Sequence, residues 1–143
     1  MGKSTSYSMN NVTATVDGQS ARGFWDGDDA VVTEQLEDVG SLLVGADGSS
    51  IFSQSANQGA TITFRLQHTS PTHKLLHQRW ARQRSKGNRI TGFPVTVADV
   101  SSGEGGSTDQ AFVMTAPSDS KGVTATVREW VLVTGDWKPS IPA

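Results

Sequence analysis

One stretch, residues 61–89, restricts the possible folds more than any other, because a strand pattern changes to a helix pattern within it. Apolar and polar side chains alternate from Thr61 to Gln67, and a period of two is typical of a strand with one buried face. Ser70 can accept hydrogen bonds from the amides of a first helical turn, and Pro71 favours the first helical position. The stretch therefore predicts a strand, a capped turn and a helix.

The predicted helix runs from about Pro71 to Lys86 and buries one face. Leu75, Leu76 and Trp80 form that face, because residues three or four positions apart lie on the same side of a helix. The rest of the helix and its end are basic, with Lys74, Arg79, Arg82, Arg84, Lys86 and Arg89. The remaining sequence has strand and loop patterns, so we expect a single helix that covers a sheet.

The fold class that follows is mainly β with one α-helix (α+β), built as two packed antiparallel β-sheets, sandwich-like or barrel-like, flanked by the helix. At 143 residues we expect one domain over 1–143, with extended or flexible ends at about 1–6 and 136–143. Strands are predicted at 7–16, 31–39, 41–44, 51–54, 61–67, 93–100, 111–116 and 123–134. The segment 101–109, rich in Ser, Gly and acid, is predicted to be a mobile loop.

Composition excludes several classes of site. The chain has no Cys, which excludes disulfides, thiolate zinc sites and a cysteine nucleophile and fits a reducing compartment. No apolar run is long enough to span a membrane, and the first residues lack the apolar core of a secretion signal. We therefore expect a soluble protein, made in the cytoplasm, with no membrane partner.

The formal net charge of −2 conceals an asymmetry. Residues 1–70 contain eight acidic and three basic residues, whereas residues 71–89 contain six basic and no acidic residues. A folded subunit would carry one basic patch, on the helix, and an otherwise acidic surface that could attract another copy. A solvated helix face without a partner is the other interpretation.

No pattern of residues indicates catalysis or a cofactor. His73 and His77 are four residues apart on the helix, a spacing that can bind a metal, but the helix offers no third ligand. The acidic cluster at 26–29 lacks the spacing and distal Glu of a calcium loop, and residues 2–5 match only the end of a phosphate-binding loop. We expect a protein that is not an enzyme and that has neither cofactor nor metal.

Three features occur in a characteristic order. A tight turn at 45–48 follows a short strand, the segment from Gly59 to Leu76 passes from strand to helix, and Trp130 lies in a long last strand. With this order the sequence resembles the tail tube (inner tube) proteins of contractile-tailed bacteriophages.

The resemblance implies both an assembly and a set of partners. Homo-hexameric rings would stack into a tube, with a β-barrel around a lumen that serves DNA ejection. A tape measure protein and then viral DNA would occupy the lumen without sequence-specific binding, and a tail sheath protein would surround the tube. The protein would be part of the virion, in its contractile tail, after self-assembly in the host bacterial cytoplasm.

Candidate residues for these contacts follow from charge and position. An acidic lumen repels DNA phosphate, and the lumen candidates are Glu34, Glu37 and Asp38. The basic helix residues are candidates for contact with an acidic neighbouring subunit or with the sheath. Exposed loops could join stacked rings, and the candidates there are Asp47, Ser49, Ser50, Glu104 and Asp109.

Two other functions fit the same residues. One is a different virion component, such as a tail terminator or a capsid decoration protein; a terminator forms a single ring rather than a tube. The other is a small nucleic-acid-binding β-domain that uses the basic helix, for which binding would fall steeply with salt.

Overall fold

The computed structural model describes residues 12–24, 30–85, 92–99, 103–117 and 127–140. These residues form ten strands and one helix: β1 (Val12–Val16), β2 (Gln19–Ser20), β3 (Val31–Gln35), β4 (Gly40–Val44), β5 (Ser50–Gln54), β6 (Ala60–Gln67), α1 (Thr72–Arg84), β7 (Phe93–Asp99), β8 (Gly105–Thr115), β9 (Val127–Thr134) and β10 (Lys138–Ser140). The predicted fold class, mainly β with one helix and two antiparallel sheets, is confirmed for the described part of the chain.

The two sheets differ greatly in size. The large sheet has the strand order β2-β1-β7-β8-β9-β6-β3, with β10 added to β8, and the small sheet is the β4–β5 hairpin. The order of the described strands has two ends, at β2 and β3, so these strands do not close into a barrel. β8 pairs with β7 and β10 in its first half and with β9 in its second half, and its register shifts between Val113 and Thr115.

The core lies between the middle of the large sheet and α1. Alternate side chains of β6 are buried, and Phe64 lies directly opposite Trp130 of β9. Leu75 and Leu76 of α1 are also buried, and Trp80 packs against the core while half-buried. Full burial of an apolar side chain of this size contributes about 1.5–3 kcal/mol, so this face of the helix fixes it on the sheet.

The start of α1 is held by the chain before β3. Pro71 occupies the N-cap position that was predicted for Ser70, and the helix begins one residue later than predicted, at Thr72. The Ser70 hydroxyl donates to the Arg22 carbonyl and accepts from the Thr72 amide, 3.3 Å away. The Thr72 hydroxyl accepts from the Arg22 amide at 2.8 Å. The helix ends at Arg84, two residues earlier than the prediction.

The structure corrects the prediction of a loop at 101–109, because β8 already begins at Gly105. Asp109 therefore lies within a strand, and Glu104 lies immediately before it. The sequence pattern misled because glycine is a turn signal, whereas Gly106 has a packing role: a Cβ at that position would lie 2.5 Å from the Trp137 ring.

The C-terminal segment is also more regular than the prediction for 136–143. Trp137 is buried, and the next three residues form β10, with Pro139 opposite Gly106 of β8. The two incorrect predictions, a loop at 101–109 and a flexible end at 136–143, thus concern one contact, that of Trp137 and β10 with β8. The predicted flexible end at 1–6 lies outside the described residues.

Candidate assembly surfaces

The most unusual surface belongs to residues 36–57, which we call the arm; it contains β4, β5 and their flanking residues. Its two strands pair only with each other among the described strands. Seven of the nine exposed large apolar side chains of the described residues lie here, with exposed fractions between 45% and 69%: Leu36, Val39, Leu42, Leu43, Val44, Ile51 and Phe52. The arm is therefore the main apolar surface without a partner.

Both faces of the arm are apolar. Leu42 pairs with Phe52, and the next pair along the hairpin is Leu43 with Ile51. Because successive strand residues point to opposite faces, each face carries one of these pairs. An isolated two-stranded hairpin is marginally stable in water, and apolar patches of this kind mark sites of protein association. The arm thus has the composition of a sheet that is covered on both sides.

The tip of the arm is a closed, charged turn. The Asp47 carboxylate accepts from the Ser49 hydroxyl at 2.6 Å and from its amide at 3.0 Å. These hydrogen bonds lower the pKa of Asp47, and the bond from the Ser49 hydroxyl has the larger effect. Gly48 has φ +86°, a conformation that favours glycine. The ring-stacking candidates Asp47, Ser49 and Ser50 are all exposed here.

The base of the arm is held by Glu37. Its carboxylate accepts from the Asn57 side-chain amide at 2.9 Å and from the Ser55 hydroxyl at 3.2 Å, so it joins the two sides of the hairpin. This clamp was not predicted. Of the other lumen candidates, Glu34 lies in β3 opposite Thr61, and Asp38 lies in the connection to β4; both are exposed. Their position at a lumen stays a prediction.

Two of the four described helix cations have partners within the chain. Arg79 forms an ion pair with Asp17 in the β1–β2 turn. Arg84 lies over the Trp80 ring, with its guanidinium carbon 4.8 Å from the ring centre, a favourable cation–π distance.

The other two helix cations, Lys74 and Arg82, are exposed. No acidic side chain among the described residues forms an ion pair with either. Together with Gln78, which lies between them at four-residue spacing, they form one stripe of the helix, which we call the basic face. The remaining predicted interface residues, Lys86 and Arg89, lie outside the described residues.

The histidines of α1 support packing. His73 is buried, with Nε2 2.8 Å from the Gln67 carbonyl and Nδ1 3.0 Å from the Trp130 indole nitrogen. The carbonyl can only accept and the indole N–H can only donate, so the ring is neutral and carries its proton on Nε2. Burial is the largest influence that lowers the pKa of His73. His77 contacts the Trp130 ring edge-on. No group of three or more metal-ligating side chains exists among the described residues.

Gln83 connects the last turn of α1 to the sheet, which sequence patterns did not predict. Its amide nitrogen donates to the Val113 carbonyl at 2.9 Å, and its amide oxygen accepts from the Val113 amide at 2.9 Å. β7 begins at Phe93, opposite Ala111, so no described strand pairs with Val113 on that side. The side chain of Gln83 takes the place of a strand there.

An open cavity of about 410 Å³ lies beside the middle of β8 and the end of β9, lined by Thr108, Asp109, Gln110, Phe112, Thr134, Gly135 and Asp136. The Lys138 ammonium lies 3.7 Å from the Asp109 carboxylate and 3.9 Å from that of Asp136. These contacts are exposed ion pairs at the protein surface. No helix in the described residues is long and apolar enough to cross a membrane.

Comparison with known proteins agrees with an assembly role. A family model described as bacteriophage PhiTE tail tube protein matches residues 4–140, which confirms the resemblance to tail tube proteins. No curated protein sequence matches the chain.

Two cryo-EM structures have a similar fold. One is the anti-feeding prophage cap, the AFP tube terminating cap, with a TM-score of 0.63, 14% identity, and coverage of 100% of this chain and 95% of that chain. The other is the PVC sheath/tube terminator of an extracellular contractile injection system in the extended state, with a TM-score of 0.65, 14% identity, and coverage of 98% and 100%. At this identity, the likeness concerns the fold alone.

Proposed function

Because the chain belongs to the bacteriophage PhiTE tail tube protein family, we propose that it is a subunit of the inner tube of a phage tail. In this proposal, copies associate into hexameric rings, and the rings stack around a lumen through which viral DNA passes. The role is structural and requires neither a cofactor nor a catalytic group.

The arm is the observation that carries the proposal. Its apolar side chains are exposed on both faces in the single subunit, and because they are already partly covered, burial of the rest of each contributes roughly half of the 1.5–3 kcal/mol of full burial. A subunit that stayed alone would keep this surface in water. Association with further copies buries this surface. Copies that bind head-to-tail form closed rings or filaments.

The edge of the large sheet gives a second contribution to the ring. β3 pairs with β6 on one side, and no described strand pairs with its other side. Such an edge presents backbone N–H and C=O groups that can pair with another chain. The arm continues directly from this strand, so one neighbour can cover both.

The other proposed partners are a sheath protein on the outside and a tape measure protein and DNA in the lumen. The support for these partners is membership of the family. DNA would pass without sequence readout, because phosphate contacts carry no sequence information.

A tube terminator is the second candidate function. Two solved structures that share the fold over nearly the whole chain are a tube terminating cap and a sheath/tube terminator. A terminator closes the end of a tube as a single ring, so its subunits associate within the ring and do not stack as one continuous polymer.

Electron microscopy of the purified chain over a range of concentrations tests the proposal. We expect stacked rings or hollow tubes of uniform width. Single closed rings that never stack would favour the terminator. Particles that remain single subunits at every concentration would contradict ring formation.

A further inference from the structure

Two surfaces of the chain carry opposite charge. Residues 30–64, which include β3 and the arm, contain four acidic side chains and no Lys or Arg, whereas α1 contains four basic side chains and no acidic one. Charge that is separated in this way within one subunit is complementary between two subunits.

Half of these charges are engaged within the chain, and two on each surface are not. Glu37 and Asp47 accept hydrogen bonds within the arm. Glu34 and Asp38 are exposed, and no basic side chain of the described residues pairs with either. The residues from Glu34 to Asp38 form what we call the acidic stem. Its counterpart is the basic face of α1, where Lys74 and Arg82 also lack acidic partners.

The spacings of the two surfaces are compatible. Lys74 and Arg82 are eight residues apart on a helix, which corresponds to ~12 Å along its axis. Glu34 and Asp38 are four residues apart in extended or bent chain, a distance of at most ~14 Å. Two ion pairs can therefore form together when the stem lies along the helix.

We propose that the acidic stem of one copy docks on the basic face of α1 in a second copy. This inference rests on the proposed function, because it names the surface that receives the stem when copies associate. It places Glu34 and Asp38 between subunits, which replaces the lumen position predicted for them.

The proposed contact joins two different surfaces. Two stems facing each other would bring acids together, and two helices would bring cations together, so neither surface pairs with itself. In the proposed ring, each copy uses its stem on one neighbour and its helix on the other, and such head-to-tail contacts close into a ring when the rotation between copies closes. Exposed ion pairs contribute little affinity; they select the partner surface, while the apolar arm supplies the binding energy.

Charge reversal tests the contact. The helix variant is Lys74→Glu with Arg82→Glu, and the stem variant is Glu34→Lys with Asp38→Lys. At low salt, we expect each variant alone to associate about tenfold more weakly than the wild type or worse. A 1:1 mixture of the two should recover wild-type association, because every contact between unlike copies again joins opposite charges. Sedimentation velocity measures this.

Cross-linking gives a second readout that does not depend on complete rings. The chain has no Cys, so single cysteines can be placed without background. Leu36→Cys on the stem, where the side chain is exposed, mixed with Gln78→Cys on the basic face should form disulfide dimers between copies. Asp109→Cys mixed with Gln78→Cys is the control and should not.

The outcomes separate this inference from the proposed function. Wild-type rings without recovery in the mixture, or without the 36–78 cross-link, would overturn the stem–helix contact and leave the ring proposal intact. Absence of wild-type rings together with absence of the cross-link would overturn both. Salt-sensitive binding of duplex DNA that is lost in the helix variant, with no recovery of association in the mixture, would assign the basic face to phosphate and also overturn the contact.

Discussion

Phe64 and Phe52 are the same residue type in two very different surroundings. Phe64 in β6 is 1% exposed and lies between strands on both sides, whereas Phe52 in the arm is 61% exposed. Both lie in antiparallel strands opposite a large apolar residue. The difference indicates that the core is completed within the subunit, while the arm is completed by association.

The core and the arm should contribute to two different free energies, that of unfolding and that of association. Substitutions in the core should change the free energy of unfolding of the subunit, and substitutions in the arm should change the free energy of association. A measurement of both quantities on matched variants is therefore the most direct way to test whether the two regions differ as the structure indicates.

The largest effect is expected for Phe64→Ala. Removal of a fully buried phenylalanine ring leaves a cavity, and we expect the free energy of unfolding to fall by about 4 kcal/mol. Urea denaturation of the subunit measures this. A loss below about 1 kcal/mol would contradict the tight packing of Phe64 against Trp130.

Phe52→Ala is the matched variant in the arm. We expect the free energy of unfolding to stay within about 0.5 kcal/mol of the wild type, while association weakens by about 2 kcal/mol, or roughly 30-fold. Sedimentation velocity and urea denaturation on the same sample give both numbers. An equal loss in both would show that the arm is part of the subunit's own core.

A smaller effect is expected for Gln83→Ala, which removes two hydrogen bonds between α1 and β8. We expect a loss of about 1–2 kcal/mol in the free energy of unfolding. Gln78→Ala, on the exposed side of the same helix, is the control and should change it by less than about 0.5 kcal/mol. Equal effects of the two variants would count against a specific role of Gln83.

The smallest effect is the pH dependence that His73 confers. Its folded pKa is lowered, so below about pH 6.5 the unfolded chain binds a proton more readily than the folded one, and stability falls as the pH falls. Protonation would also place an N–H on Nδ1 against the Trp130 N–H. In His73→Gln the fall in stability between about pH 7 and pH 5 should be smaller; an unchanged profile would assign it to other groups.

Local patterns were sufficient for the parts of the fold that are local in sequence. The period of two in β6, the turn at Ser70 and Pro71, and the apolar stripe of α1 depend on residues within a few positions, and the structure has the strand and the helix there. The hairpin turn at 45–48 is of the same kind, since the hydrogen bonds of Asp47 reach only two residues.

Contacts between distant residues were not predictable from patterns. Trp137 covers Gly106 across 31 positions, and Trp130 donates to His73 across 57, so neither partner carries a local signal. The exposure of the arm was also missed. A short apolar strand indicates that burial is needed, but the sequence does not say whether the chain itself or another copy provides it.

The reciprocal amide contact of Gln83 with Val113 has a consequence for recognition. Side chains project outward from the axis of a helix. A rotation of α1 about that axis would therefore change the direction in which Lys74 and Arg82 point. Apolar packing alone permits some rotation, whereas a pair of hydrogen bonds to one strand residue defines a single angle. The direction of the long, flexible side chains of Lys74 and Arg82 is thus fixed by Gln83, an uncharged residue on the opposite side of the helix.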